Sequence, residues 1–309
     1  MGMKICGAPC SWGIDRLDNP FNPAWDRVIR EAHEVGYSAI ELGPYGYFPI
    51  HDIPRVSEEL NKNKLGIIVG VIFDELVTEK RYEELKSQVE EICSLITKLP
   101  KLPTEPGQKR ATPYITLMDF GHTERDSVAG RSDLAPRADQ ELWEQIVRHI
   151  RGLCNIANSY GVRPVIHPHS GGYIEFDDEI ERIMNDLPDE MAGLCLDTGH
   201  ITYSGADASE MLEKYRDRLE YVHFKDINGP VYRRAMEQKL KFLDSCHEGA
   251  FCPIGQGIID YISVRDTLKK INYNGYICIE QERDPRYAGQ TMKTEKASID
   301  YLKGIGFKI

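Results

Sequence analysis

Eight times along the 309 residues, a short run of apolar and β-branched residues is followed by a longer stretch whose apolar positions recur at helical spacing. The spacing predicts strands at Lys4–Pro9, Ser38–Leu42, Ile67–Phe73, Tyr114–Asp119, Arg163–His167, Gly193–Asp197, Tyr221–Lys225 and Tyr276–Glu280. It predicts helices near Pro23–Val35, Pro54–Lys64, Glu79–Thr97, Asp139–Tyr160, Asp177–Met184, Ala208–Arg216, Tyr261–Ile271 and Glu295–Leu302. Several helices run into a glycine that stops them and turns the chain into the next strand, as in "VGYSAI", "YGVRPV" and "NYNGYI". Eight such units over this length point to a (β/α)₈ TIM barrel occupying residues 1–309 as a single α/β domain. An open doubly wound sheet is the rival, but "GAPCSWG" after the first strand lacks the glycine spacing of a phosphate loop.

In a barrel of this kind chemistry sits at the C-terminal ends of the strands, so the last residues of each run are the informative ones. Those ends are polar: Ser11 and Trp12, Glu41, Asp74 and Glu75, Asp119, His167 with His169, Asp197 with His200, His223 with Lys225 and Asp226, and Glu280 with Arg283. Polar strand ends are expected wherever loops meet water, but imidazoles and carboxylates at four successive ends, five through eight, exceed that expectation. The segment "KLPKLPTEPGQKRATP" precedes the fourth strand and belongs on the opposite, N-terminal face. "GHTERDSVAGRSDLAPR" follows it and is placed as a lid, where Arg125, Arg131 and Arg137 are either ligand contacts or solvated charges.

The net charge of −11 removes the basic footprint that nucleic acid requires. No run of about 18 apolar residues is present and the first residues do not resemble a leader, so a cytoplasmic protein without membrane contact is expected. Eight cysteines without a CxxC pair, several inside apolar runs, read as reduced and buried.

His167, Asp197, His223 and Glu280 would bring two imidazoles and two carboxylates together, a donor set suited to Mn²⁺, Co²⁺, Zn²⁺ or Fe²⁺ and not to a thiolate site. The stretches "CLDTGH", "YVHFKD", "CPIGQGIIDY" and "ICIEQERDP", with "VIHPHSGG" and "ELGPYGYF", resemble the xylose-isomerase-like TIM-barrel superfamily of sugar isomerases, epimerases and dehydratases. Within it the sequence is similar to the inosose (2-keto-myo-inositol) dehydratase-like proteins over essentially its whole length. The resemblance implies a divalent ion, Mn²⁺ or Co²⁺ first and Zn²⁺, Fe²⁺ or Mg²⁺ as alternatives, on Asp197, His223, Glu280 and the fifth-strand position. Most isomerases and epimerases of the superfamily carry glutamate at that last position; this chain has His167.

The loss of one carboxylate weakens a symmetrical two-base epimerisation and favours dehydration of a keto-cyclitol or keto-sugar through a metal-stabilised enolate. His169 is the first choice for the acid/base group and His200 the second, with Glu280 as the remaining carboxylate. Lys225 and Arg283 are expected to position hydroxyls, Trp12 and Glu41 to line the pocket, and Arg131 to reach the substrate from the lid. A ketose isomerase or epimerase is the second reading and a non-catalytic sugar-binding barrel the third. The partner is a small polyol or keto-sugar and a second copy in a homodimer is expected. The superfamily's zinc-dependent DNA-repair endonucleases use additional histidines that this chain does not offer.

Overall fold

Hydrogen bonding joins the predicted strands into one parallel sheet that closes on itself. The structure, a computed structural model, describes residues 3–309. Its strands are β1 (Met3–Gly7), β2 (Ala39–Ile40), β3 (Gly66–Ile67), β4 (Val69–Asp74), β5 (Tyr114–Asp119), β6 (Arg163–Ile166), β7 (Gly193–Asp197), β8 (Leu219–Phe224), the short pair β9 (Asp226–Ile227) and β10 (Phe251–Cys252), and β11 (Gly275–Ile279). The sheet runs β3-β2-β1-β11-β8-β7-β6-β5-β4. β3 and β4 are two halves of the third predicted strand, interrupted at Ile68. That residue closes the barrel, donating its N–H to Ile40 O at 3.1 Å on one side and accepting from Tyr114 N at 2.9 Å on the other.

Alternation along each strand sorts side chains into two layers. Ile5, Ile40, Ile72, Ile115, Leu117, Ile166, Leu196, Val222, Phe224, Ile277 and Ile279 face outward and join the helices in one core. Cys6, Ala39, Val71, Tyr114, Val165, Cys195, Tyr221, Tyr276 and Cys278 fill the lumen as a second core. The next inward positions toward the C-terminal ends, Glu41, His167, Asp197, His223 and Glu280, therefore stand directly above Ala39, Val165, Cys195, Tyr221 and Cys278. A packed floor below and loops above are what make those five residues a site.

The proline-rich segment lies at the N-terminal end, as its place in the chain predicted. Tyr276 donates its hydroxyl to Pro103 O at 3.1 Å, Gln108 Nε2 donates to the Tyr114 hydroxyl at 2.8 Å, and Leu102 packs against the lumen. The eight predicted helices are present, with ends displaced by a few residues. Helices at Thr123–Asp126, Thr198–Tyr203, Gly229–Gln238 and Phe242–His247 were not read from the sequence. Thr198–Tyr203 has no apolar periodicity to betray it. It starts because Asp197 Oδ1 accepts from Gly199 N at 2.7 Å and His200 N at 3.1 Å. All eight cysteines are free, and no helix among the described residues is long and apolar enough to cross a membrane.

Near the closed end of the barrel, Arg163 donates from Nε and Nη2 to the two oxygens of buried Glu220 at 2.8 and 2.7 Å, tying β6 to β8 across β7. Removing one member leaves a buried charge without its partner. Arg163→Ala is expected to cost about 3 kcal/mol or more in urea unfolding, whereas exchange of the exposed Arg16, paired with Asp18, should change stability by less than about 1 kcal/mol.

Candidate metal and catalytic site

At the open end, the Lys225 ammonium is the cation on which the carboxylates converge. Its Nζ lies 2.6 Å from Asp197 Oδ2 and 3.0 Å from Glu282 Oε1, and it also donates to Glu280 Oε2. The imidazoles stand beside this cluster. His223 Nδ1 is 3.0 Å from Glu280 Oε2 and 3.2 Å from His167 Nε2, and each of these histidine nitrogens is 3.7 Å from Asp197 Oδ2. His167, Asp197, His223, Lys225 and Glu280 are all buried.

Burial pushes Asp197 and Glu280 toward the neutral form, but Lys225 and the neighbouring histidines outweigh it and hold both well below the usual carboxylate range. Lys225 is held well above the usual lysine range: burial opposes its charge, and Asp197, Glu280 and Glu282 overcome that penalty. His223 is likewise raised against its own burial by Cys195, Glu280 and Glu41, whereas burial lowers His167. Two ionised carboxylates in a closed space demand positive charge, and the Lys225 ammonium supplies part of it. The donors present fit a divalent ion: His167 Nε2 and His223 Nδ1 lie 3.2 Å apart and 3.7 Å from Asp197 Oδ2, and Glu280 Oε2 lies 3.0 Å from His223 Nδ1, a mixed imidazole and carboxylate set. His200 also lies beside His167 and Asp197, one nitrogen or oxygen of each being within 4.8 Å of the others.

A cavity of about 430 Å³ opens above this cluster, within the range of small-molecule sites. His167, His169, His200, His223, Lys225, Glu280 and Glu282 form its polar floor, while Phe73, Met118, Phe242 and Leu243 form an apolar wall. The rings of His169 and His200 lie against each other with centres 4.0 Å apart and planes tilted by 43°. Burial first, with the neighbouring imidazoles and the Lys225 ammonium opposing any added charge, holds both well below the usual histidine range, so both are neutral.

Their tautomers are set by one residue. His169 Nδ1 faces Ser170 O at 3.0 Å and must donate to it, which leaves the lone pair on Nε2. His200 Nδ1 accepts from Ser170 N at 3.2 Å, which puts its hydrogen on Nε2. The two rings thus present one acceptor and one donor.

A family model described as xylose isomerase-like TIM barrel matches residues 29–305. The chain belongs to this family. Among curated relatives it is 28% identical over 292 residues to the inosose dehydratase of Geobacillus kaustophilus (strain HTA426), covering 92% of this chain and 89% of the relative. The fold is shared with the solved structure of the IOLI protein with a bound zinc atom, at a TM-score of 0.70 and 18% identity over 99% of this chain and 100% of that one. It is also shared with the probable 3-DHS dehydratase AsbF of Bacillus anthracis, at a TM-score of 0.69 and 15% identity over 97% of this chain and 99% of that one.

Three residues expected at the substrate face elsewhere. Trp12 is buried away from the cavity and donates Nε1 to Glu31 Oε2 at 2.6 Å. Arg131 spends its guanidinium on Met236 O at 2.9 Å and Ser127 O at 2.7 Å. Arg283 donates to Gln281 Oε1 and Thr294 Oγ1 at 2.7 and 2.8 Å. Glu41 does line the cavity, but its Oε1 accepts from the Tyr221 hydroxyl at 2.7 Å and lies 3.0 Å from His223 Nε2, so it also backs the histidine. Glu282 was missed. It lies two positions beyond Glu280 and lines the same cavity, and burial pushes its carboxyl up to about 7. Continuing the two-residue alternation past the end of β11 finds it.

The lid predicted after the fourth strand is a fixed strap. Arg125 is fully buried, stacks over Tyr173 and Phe176 at 5.3 and 5.1 Å, and donates to Glu179 at 2.6 and 3.0 Å and to Glu175 at 3.4 Å. Arg137 pairs with Asp178 at 2.8 Å. Neither guanidinium faces the cavity, because acidic groups from the loop after β6 and the helix following it have claimed them. Glu175 joins this strap to the histidine loop, accepting from Gly130 N at 2.6 Å and Gly171 N at 2.9 Å. Burial pushes Glu175 up to about 7, so the folded protein holds a proton that the unfolded chain releases at its ordinary carboxylate pKa. Stability from this group is therefore present below that range and falls as pH rises through about 7. Urea midpoints measured across this window should decline with pH in the parent protein, and Glu175→Gln should flatten the decline.

Proposed function

We propose that the chain is a divalent-metal-dependent carbon–oxygen lyase that dehydrates a keto-cyclitol of the inosose type. The observation that carries this reading is the pair of neutral imidazoles in opposite tautomers beside a metal-binding cluster whose fifth-strand ligand is His167 and not a carboxylate. Support comes from the similarity, spanning nearly the whole length of both chains, to the inosose dehydratase of Geobacillus kaustophilus.

His167, Asp197, His223 and Glu280 hold the ion, for which we propose Mn²⁺ or Co²⁺, with Zn²⁺, Fe²⁺ and Mg²⁺ as alternatives. When bound, the ion supplies Lewis-acid polarisation of the substrate ketone. The remaining work belongs to side chains. His169 accepts the proton α to the ketone on its free Nε2. His200 donates a hydrogen bond from its Nε2–H to the β-hydroxyl, which receives the proton that His169 removed, so that the C–O bond breaks, water leaves, a carbon–carbon double bond remains and both rings end neutral. Each ring needs only the tautomer that Ser170 already imposes. Lys225 and Glu282 meet ring hydroxyls, and the Phe73, Met118, Phe242 and Leu243 wall excludes water from the face where the α-carbon is acidic. A symmetrical epimerisation needs equivalent bases on both faces of the carbon, and this arrangement has an acceptor and a donor instead. The reduced thiols suit the cytoplasm.

His169→Ala should retain its ion by metal analysis and lose turnover by roughly 10²–10⁴-fold. Loss of the ion in that variant would make His169 a ligand and undo its role. His223→Ala and Glu280→Ala should lose the ion and the activity together. With a panel of inososes, product analysis should find loss of one water; solvent deuterium entering a product of unchanged formula would establish the isomerase reading in its place.

A further inference from the structure

The floor of the site carries sulfur. Cys195 and Cys278 occupy the inward positions two residues before Asp197 and Glu280, so their side chains lie one layer beneath the nitrogen and oxygen ligands. The cluster described above uses Nδ1 of His223. Its other nitrogen, Nε2, points the opposite way, toward Glu41 Oε1 at 3.0 Å, and has no hydrogen-bond partner among the described residues although His223 is only 2% exposed. Glu41, His223, Cys278 and Glu280 each present one ligand atom within 4.8 Å of the others, and all four residues are buried. The Tyr221 hydroxyl, donating to Glu41 Oε1 at 2.7 Å, holds that carboxylate in place.

Four donors of mixed nitrogen, sulfur and oxygen type, closed off by the packed lumen below, are what a borderline, thiophilic divalent ion takes, and hard ions such as Mn²⁺ and Mg²⁺ do not seek thiolate. We propose that the chain has a second, lower cation position formed by Glu41, His223, Cys278 and Glu280, which takes Zn²⁺ or Co²⁺ through a thiolate bond. It shares His223 and Glu280 with the upper position, so one ion occupies one position or the other. A Zn²⁺ ion settling below is withdrawn from the substrate cavity, Mn²⁺ stays above with His167 and Asp197, and Co²⁺, which accepts both donor sets, divides between the two positions. The inference rests on the reading that these strand ends hold a divalent ion.

The test uses the full chain, stripped with chelator, reduced and titrated anaerobically with Co²⁺. The lower position predicts a near-ultraviolet thiolate-to-cobalt charge-transfer band in addition to the visible ligand-field bands. Cys278→Ser should lose the charge-transfer band and keep the visible ones, and Cys195→Ser should keep both. X-ray absorption on the Zn²⁺-loaded parent protein needs no substitution and should show a sulfur scatterer at about 2.3 Å. Visible bands without a charge-transfer band or sulfur scatterer would overturn the lower position and leave the upper one standing; a charge-transfer band that persists in Cys278→Ser and vanishes in Cys195→Ser also overturns it. No cobalt spectrum at all would sink both positions.

Discussion

Two ionised carboxylates held in a buried space around a single cation organise everything else at the open end of this barrel. Asp197 does this with both of its oxygens. Oδ2 meets the Lys225 ammonium, while Oδ1 caps the helix that carries His200. One side chain thereby couples the charge of the site to the placement of the His200 ring. Glu280, two strands away across β8, closes the same cluster from the other side. Without a cation between them the two carboxylates could not both remain ionised where water is excluded.

Around that charge cluster, the protein uses its backbone to decide what the histidines can do. Ser170 offers a carbonyl to His169 and an N–H to His200, and the two rings are forced into complementary hydrogen positions. Because burial keeps both rings uncharged, the tautomer and not the titration state sets their roles. The loop carrying Ser170 is itself anchored through Glu175 to the strap that Arg125 buries, so a residue with no contact to the cavity stabilises the geometry of residues that line it.

Much of this was legible in the sequence, and the failures have physical causes. Period-two runs carrying His167, Asp197, His223 and Glu280 at or near their ends placed those side chains inward at one rim, because a strand's alternation leaves no other choice once the barrel closes. Trp12, Arg131 and Arg283 were assigned to the substrate on their positions after strands, and each instead satisfies a local partner: a carboxylate, backbone carbonyls, a side-chain amide and hydroxyl. Loop residues carry no periodicity, so nothing in the string distinguishes an arginine that faces a cavity from one that ties its own loop together. Glu282 shows the reverse error, a residue that alternation could have found one step past the predicted strand end.

The amino-acid sequence by itself determined the eight βα units and the inward register of His167, Asp197, His223 and Glu280, since both follow from local periodicity, and residue identity put a histidine at the end of the fifth strand, where the family resemblance led one to expect a carboxylate. Only the tertiary structure decided that Lys225 stands among the carboxylates, that one serine sets the two histidines in opposite tautomers, and that thiols from β7 and β11 form the floor beneath the site. Each of these depends on distances between strands and loops far apart in the chain, and such distances are set by barrel closure and packing and not by any local run of residues.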